Sequence, residues 1–147
     1  MKINLKYLQS AVTVGVAVAA SALLIACATV SVEPPKKLTV EQMQKRAGER
    51  SAERWKALTD KRFSEVFNYL SEASRVGTTA AEYEAAMQRM GYRAAVQLGV
   101  ECDEILCTVK TNVTLPVYIK NIGARPQTFP IEEQWTAVNG ELWLIRR

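Results

Sequence analysis

Three cysteines, two aspartates and no histidine limit what this chain of 147 residues can do chemically. Without imidazole there is no histidine-dependent triad, no histidine-ligated zinc site and no side chain that titrates unperturbed near neutral pH. Of the two aspartates, Asp60 is placed to cap a helix and Asp103 to sit in a hairpin turn. Most glutamates fall on expected helix surfaces. Glu132 and Glu133 are adjacent on an expected strand, where only one can point inward. Glu133 is therefore the one candidate for an inward general base. Its expected cross-strand neighbour is Arg146, which favours a strand-end ion pair over a base. No phosphate loop, no Gly-x-Ser-x-Gly elbow and no Cys/His metal spacing occurs, so no catalytic residue, cofactor or metal is assigned.

Cys102 and Cys107 enclose Asp103-Glu-Ile-Leu106, a loop short enough for a hairpin. Both lie on the apolar-alternating face of their strands and can oppose one another across the ladder. The spacing favours a structural disulfide. Two separate core thiols are one alternative; a redox pair is another, although such pairs usually have two intervening residues and a helix N-terminus.

Cys27 stands in a different setting. Lys2 and Lys6 give a positive start, and residues 11–25 form an apolar run without charge. That run is short for a membrane span and suits the core of a signal peptide. Leu24-Ile25-Ala26-Cys27 resembles the lipobox of bacterial lipoproteins. The resemblance implies cleavage before Cys27, a diacyl thioether on its sulfur, and a chain anchored to a membrane rather than spanning it. Ala28, where an Asp would retain such a protein at the inner membrane, favours the periplasmic face of the outer membrane in a Gram-negative cell. Such export would also place Cys102 and Cys107 where disulfides persist. Residues 1–26 are thus read as a removed signal peptide and 27–38 as a lipidated tether with Pro34-Pro35. Residues 39–147 are the domain.

Composition is that of a globular protein: 48% apolar and 23% charged, with a formal net charge of +4. Losing Lys2 and Lys6 with the signal lowers that charge, so nucleic acid is not an expected partner on charge or compartment. Residues 36–62 are rich in Lys and Arg. Beside an anchor they could hug anionic headgroups, but Glu49 and Glu53 among Lys45, Arg46, Arg50 and Arg54 suit a solvated helix face better.

The elements follow from periodicity. Thr39-Val-Glu-Gln42 has the form of a capping box, and Val40, Met43, Ala47, Trp55 and Leu58 predict a helix over 39–58. Asp60 would cap a second helix with the stripe Phe63, Val66, Phe67 and Leu70. Thr79-Ala-Ala-Glu82 opens a third, with Tyr83, Ala86, Met87 and Met90 on one face and Gly91 at its end. From residue 92 the period changes to two. Val96, Leu98, Val100 and Cys102 alternate, as do Cys107, Val109, Thr111, Val113 and Leu115. Pro116 is read as an interruption, residues 117–122 as a third strand, 123–126 as a turn and 128–138 as a fourth strand. Asn139-Gly140 is a type I′ hairpin signal leading to a last strand. Helices followed by an antiparallel sheet give an α+β fold with the helices packed on one sheet face.

Arg54-Trp55-Lys-Ala-Leu58, Asp60-Lys-Arg-Phe63 and Tyr69-Leu70-Ser71 resemble the opening of small bacterial NTF2-like proteins. Asn139-Gly140-Glu141-Leu142-Trp143-Leu144-Ile145 resembles the last hairpin of that family. The resemblance implies a curved sheet wrapped around helices to make a cone with a pocket. Counting out from the turn pairs Ala137 with Leu142, Thr136 with Trp143, Trp135 with Leu144, and Gln134 with Ile145. By resemblance Gln134, Thr136 and Trp143 face the helices and, with Trp55, form the candidate pocket. Trp135, Ala137, Leu142 and Leu144 then make an exposed apolar patch, a candidate interface for a homodimer or an envelope protein. The reading is a membrane-anchored, non-catalytic envelope lipoprotein that binds a small apolar ligand or a protein partner. A cyclase- or isomerase-like enzyme using the cone and a structural assembly factor are the alternatives.

Overall fold

The computed structural model describes residues 37–146. The expected signal peptide, the lipobox with Cys27, and all but the end of the expected tether lie outside the described residues. Among those described, no helix is long and apolar enough to cross a membrane.

The chain is α+β. Helix α1 (Val40–Thr59) is followed by α2 (Phe63–Val66), a 3-10 turn (Phe67–Tyr69), α3 (Glu72–Arg75) and α4 (Ala80–Met90). Strands β1 (Ala94–Cys102), β2 (Leu106–Ile119), β3 (Gly123–Val138) and β4 (Glu141–Ile145) form one antiparallel sheet in sequence order. Both capping boxes close as their sequences require: Thr39 with Gln42 on α1, Thr79 with Glu82 on α4. Gly91 ends α4 in the left-handed conformation at φ 66°. Leu38, read as tether, is buried against the core, so the folded domain begins before Thr39.

Asp60 caps the end of α1 rather than the start of a second helix. The second helix is also broken. Leu70 turns extended and forms a parallel bridge with Leu144, and the Ser71 amide donates to the Leu144 carbonyl at 2.9 Å. Covering the open edge of β4 supplies backbone partners that a continuing helix would leave without. Ser71 then caps α3 by accepting from the Ser74 amide.

The sheet has four strands, not five. β2 runs straight through Pro116 and β3 straight through Pro126, and the two prolines face each other. Neither can donate, so theirs is a pair that exchanges no hydrogen bonds, and both nitrogens point away from the ladder. β1 reaches only to Thr114 and β4 pairs β3 only from Gln134, so both nitrogens look onto open edges. Pro130 has the same parity and the same orientation. Residues 115–127 thus form a two-stranded ribbon extending about 16 Å past β1.

β1 carries a bulge between Gln97 and Gly99. The extra residue, Leu98, reverses the alternation, so Ala95 and Gln97 face the helices before it, and Val100 and Cys102 after it. Val96 and Leu98, expected on the apolar face, are instead well exposed. Cys102 and Cys107 pair across the end of this hairpin and are joined by a disulfide. Asp103 accepts from the Ile105 and Leu106 amides, which holds its carboxyl below the usual range.

The last hairpin has the expected register and the opposite orientation. Ala137 pairs with Leu142, Thr136 with Trp143, Trp135 with Leu144 and Gln134 with Ile145. Trp135 and Leu142 are fully buried, and Leu144 nearly so, beneath the helices. Gln134, Thr136, Trp143 and Ile145 take the outer face. The candidate interface is therefore the centre of this chain's own core. The physical reason is size: burying one large apolar side chain contributes roughly 1.5–3 kcal/mol, so the wholly apolar face turns inward and the mixed face outward.

Candidate ligand-binding site

Helix α1 presents to the sheet a stripe of Met43, Ala47, Ser51, Arg54, Trp55 and Leu58, while Val40 lies outside it. Two polar residues in this stripe reach Glu133 on β3, which is 5% exposed. Ser51 Oγ donates to Glu133 Oε2 at 2.5 Å, and Arg54 Nη1 donates to Oε1 at 2.5 Å. Arg54 Nη2 also reaches the Tyr83 hydroxyl on α4 at 3.2 Å, and its guanidinium lies over the Trp55 ring. Burial works against the Arg54 charge, but the attraction of Glu133, then of Tyr83, outweighs it, and its pKa lies above the ordinary value. Glu133 does face inward, as a base would. Its partner is Arg54, not Arg146, because the pair forms across the helix–sheet interface instead of along the sheet.

Beside this cluster lies a cavity of about 270 Å³ lined by Trp55, Tyr83, Met87, Tyr92, Leu115 and Ile131, with Arg54, Glu132, Glu133 and Arg146 also in its wall. Trp55 and Tyr92 meet edge to face at 5.7 Å. Burial raises the Tyr92 phenol, partly offset by Arg54, so that hydroxyl stays neutral across the physiological range. The walls are apolar with a few convergent polar groups, the common make-up of a small-molecule site, and the volume is just below the ~300 Å³ at which such sites usually begin.

The four expected pocket residues do not share a pocket. Trp55 lies on the helix side, and Gln134, Thr136 and Trp143 on the other face of the sheet. Thr136, Trp143 and Ile145 instead line an open groove of about 750 Å³ with Ser71 and Arg75. Trp143 packs there against the Arg50 and Arg75 guanidiniums, 5.2 and 5.7 Å from its ring centre.

The basic run of α1 is largely occupied. Arg46 and Arg50 meet Glu141, Lys45 meets Glu49, Lys56 meets Asp60, and Arg62 meets Asp60 and Glu65. Ser51, Arg54 and Tyr83 are not among the expected site residues. A signal is available in the sequence: 43, 47, 51, 54 and 58 are spaced by four, four, three and four, which puts Ser51 and Arg54 on the apolar stripe.

No family model matches the chain, and no curated protein sequence matches it. Among solved structures, it is similar to RPA3114, a SEC-C motif-containing protein from Rhodopseudomonas palustris, at 17% identity and a TM-score of 0.53, over 71% of this chain and 77% of that one. It is also similar to Aln2 from a Streptomyces species, at 15% identity and a TM-score of 0.50, over 74% of this chain and 89% of that one. At such identities the likeness is one of fold.

Proposed function

We propose that this chain is a lipid-anchored, non-catalytic protein of the bacterial cell envelope whose NTF2-like cone holds a small apolar ligand. The observation that carries the reading is the cavity walled by Trp55, Tyr83, Met87, Tyr92, Leu115 and Ile131. A lining of aromatic and thioether groups suits a ligand recognised by shape and apolar contact. The anchor rests on the Leu24-Ile25-Ala26-Cys27 motif. Titration with the neutral fluorophore N-phenyl-1-naphthylamine tests the cavity. Its emission should rise with the native protein, and Leu115→Trp, which fills the space, should abolish the rise while the circular dichroism is kept. No rise, or one that Leu115→Trp leaves intact, refutes the cavity as the site. Cell fractionation tests the anchor: Cys27→Ser should leave the membrane fraction or remain as uncleaved precursor.

A second reading, an isomerase- or cyclase-like enzyme, draws on one observation, the inward carboxylate of Glu133. Both its oxygens are engaged, by Ser51 and Arg54. Acting as a base would require a substrate to displace one of those donors, and this favours binding over proton transfer.

A further inference from the structure

The two-stranded ribbon formed by residues 115–127 has no part in the readings above. Its tip closes as a hydrogen-bonded turn: the Ile122 amide donates to the Ile119 carbonyl at 3.0 Å, and Asn121 and Gly123 take positive φ, 66° and 89°. Tyr118, Ile119 and Ile122 are exposed around this turn, so three large apolar side chains stand at the outermost point of the sheet. The charge around them has one sign. Residues 105–131 contain no Asp or Glu, and neither do residues 85–100, which end α4 and begin β1. The two segments meet at the base of the ribbon. The Pro116 ring lies 3.1 Å from where a β-carbon on Gly91 would stand, and the Arg93 amide donates to the Thr114 carbonyl at 3.0 Å. One end of the molecule therefore carries Arg89, Arg93, Lys120 and Arg125, all exposed. None of the four has an ion-pair partner among the described residues, whereas most cations of α1 do, and Lys110 on β2 meets Glu101.

We propose that the ribbon is a membrane-docking element: Tyr118, Ile119 and Ile122 enter the headgroup region of an anionic bilayer, while Lys120 and Arg125, with Arg89 and Arg93 behind them, meet lipid phosphates. An apolar tip backed by cations matches a surface whose outer layer is anionic and whose next layer is apolar. Tyrosine suits that boundary, with its ring in the apolar layer and its hydroxyl in the wet one. The backbone suits it as well, because the turn already bonds its own amide and carbonyl. The open flanks of the ribbon keep unpaired backbone groups, which limits entry to the tip and makes the contact interfacial. A second copy is the poorer occupant, since a two-fold contact through this end would set the four cations against themselves. The proposed function places the chain at a membrane but gives the ribbon no role there. Lys37 lies at the other end of the sheet, beside Ile105 and Gly140, so ribbon contact is separate from attachment through anything that precedes it.

The test reads the tip itself. Ile122→Trp in the full chain is mixed with vesicles of phosphatidylglycerol whose acyl chains carry bromine, a short-range quencher of indole emission. Val96→Trp on β1 is the control, because the two positions are similarly exposed, 57% and 61%. Both variants should keep the circular dichroism of the native chain. The emission added by Ile122→Trp should shift to the blue and fall at least twofold, while that added by Val96→Trp stays unchanged. Quenching should be at least threefold weaker in brominated phosphatidylcholine, and Lys120→Glu with Arg125→Glu should remove it in phosphatidylglycerol. Since only an indole close to the acyl chains is quenched, attachment of the vesicle to another part of the chain does not imitate the signal. No quenching of Ile122→Trp overturns the proposal, as does equal quenching of Val96→Trp or quenching that survives the charge reversals. A blue shift that grows with protein concentration in the absence of lipid overturns it too, assigning the tip to a second copy.

Discussion

Two groups of buried polar atoms lie under the same helix, and they are solved in opposite ways. Around Glu133 the charges close on themselves: Ser51 and Arg54 on α1 donate to its carboxylate, Arg54 also reaches the Tyr83 hydroxyl on α4, and each charge has its counter-charge. The Thr111 hydroxyl and the Trp55 indole N–H, by contrast, are buried and find no partner among the described residues. The first arrangement fixes the helix to the sheet. The second contributes nothing to that attachment and carries the cost of unmade hydrogen bonds. A buried polar residue is thus informative through its partners, not through its burial.

The purely apolar centre of the sheet is the reference for this contrast, and it gives the largest expected effect. Trp135→Glu places a carboxylate at a fully buried position with no counter-charge built for it. It should abolish cooperative unfolding as followed by circular dichroism. A folded Trp135→Glu monomer would show this face to be outward and dissolve the comparison. Next, Glu133→Ala leaves Arg54 buried and unpaired, and should cost about 3–5 kcal/mol in urea denaturation. The double substitution Arg54→Met with Glu133→Leu should recover most of that loss; if it does not, the cluster stabilises by more than charge balance. Ser51→Ala removes one donor to a charged acceptor and should cost about 1.5–3 kcal/mol. Thr111→Val is expected to act in the other direction and be smallest, stabilising by about 1 kcal/mol. Destabilisation there would mean that the hydroxyl already has a partner, and the two regions would not differ.

Local chemistry makes much of the fold legible. The boxes Thr39–Gln42 and Thr79–Glu82, the left-handed Gly91, the Asn139-Gly140 turn with its pairings, and the Cys102–Cys107 bridge all depend on residues within about ten positions of one another. What stays hidden depends on partners far along the chain. Arg54 looks like any other cation on a basic helix until Glu133, 79 residues away, is placed beneath it. The Leu98 bulge is one residue of slippage that reverses a strand's faces, and nothing in an alternating run of Val96, Leu98 and Val100 announces it. Pro116 reads as a strand breaker because proline lacks a donor. In the sheet, the donor it lacks is one the open edge never needed. The orientation of the last hairpin escapes for another reason: family resemblance points Trp143 inward, while the area of Trp135, Leu142 and Leu144 decides the opposite.

Those prolines also bear on how the chain behaves in company. The ribbon carries Tyr118, 83% exposed, and Ile122, 57% exposed, on a hairpin with an uncovered flank, the combination that invites a foreign strand to add on. An incoming strand needs amide donors at alternate positions along β3. Pro126 and Pro130 remove two of them on the flank left free by β4. A template with gaps at that spacing cannot support a continuous ladder. On that flank the ribbon can therefore display apolar side chains at high local concentration, as on a crowded surface, without templating a further strand.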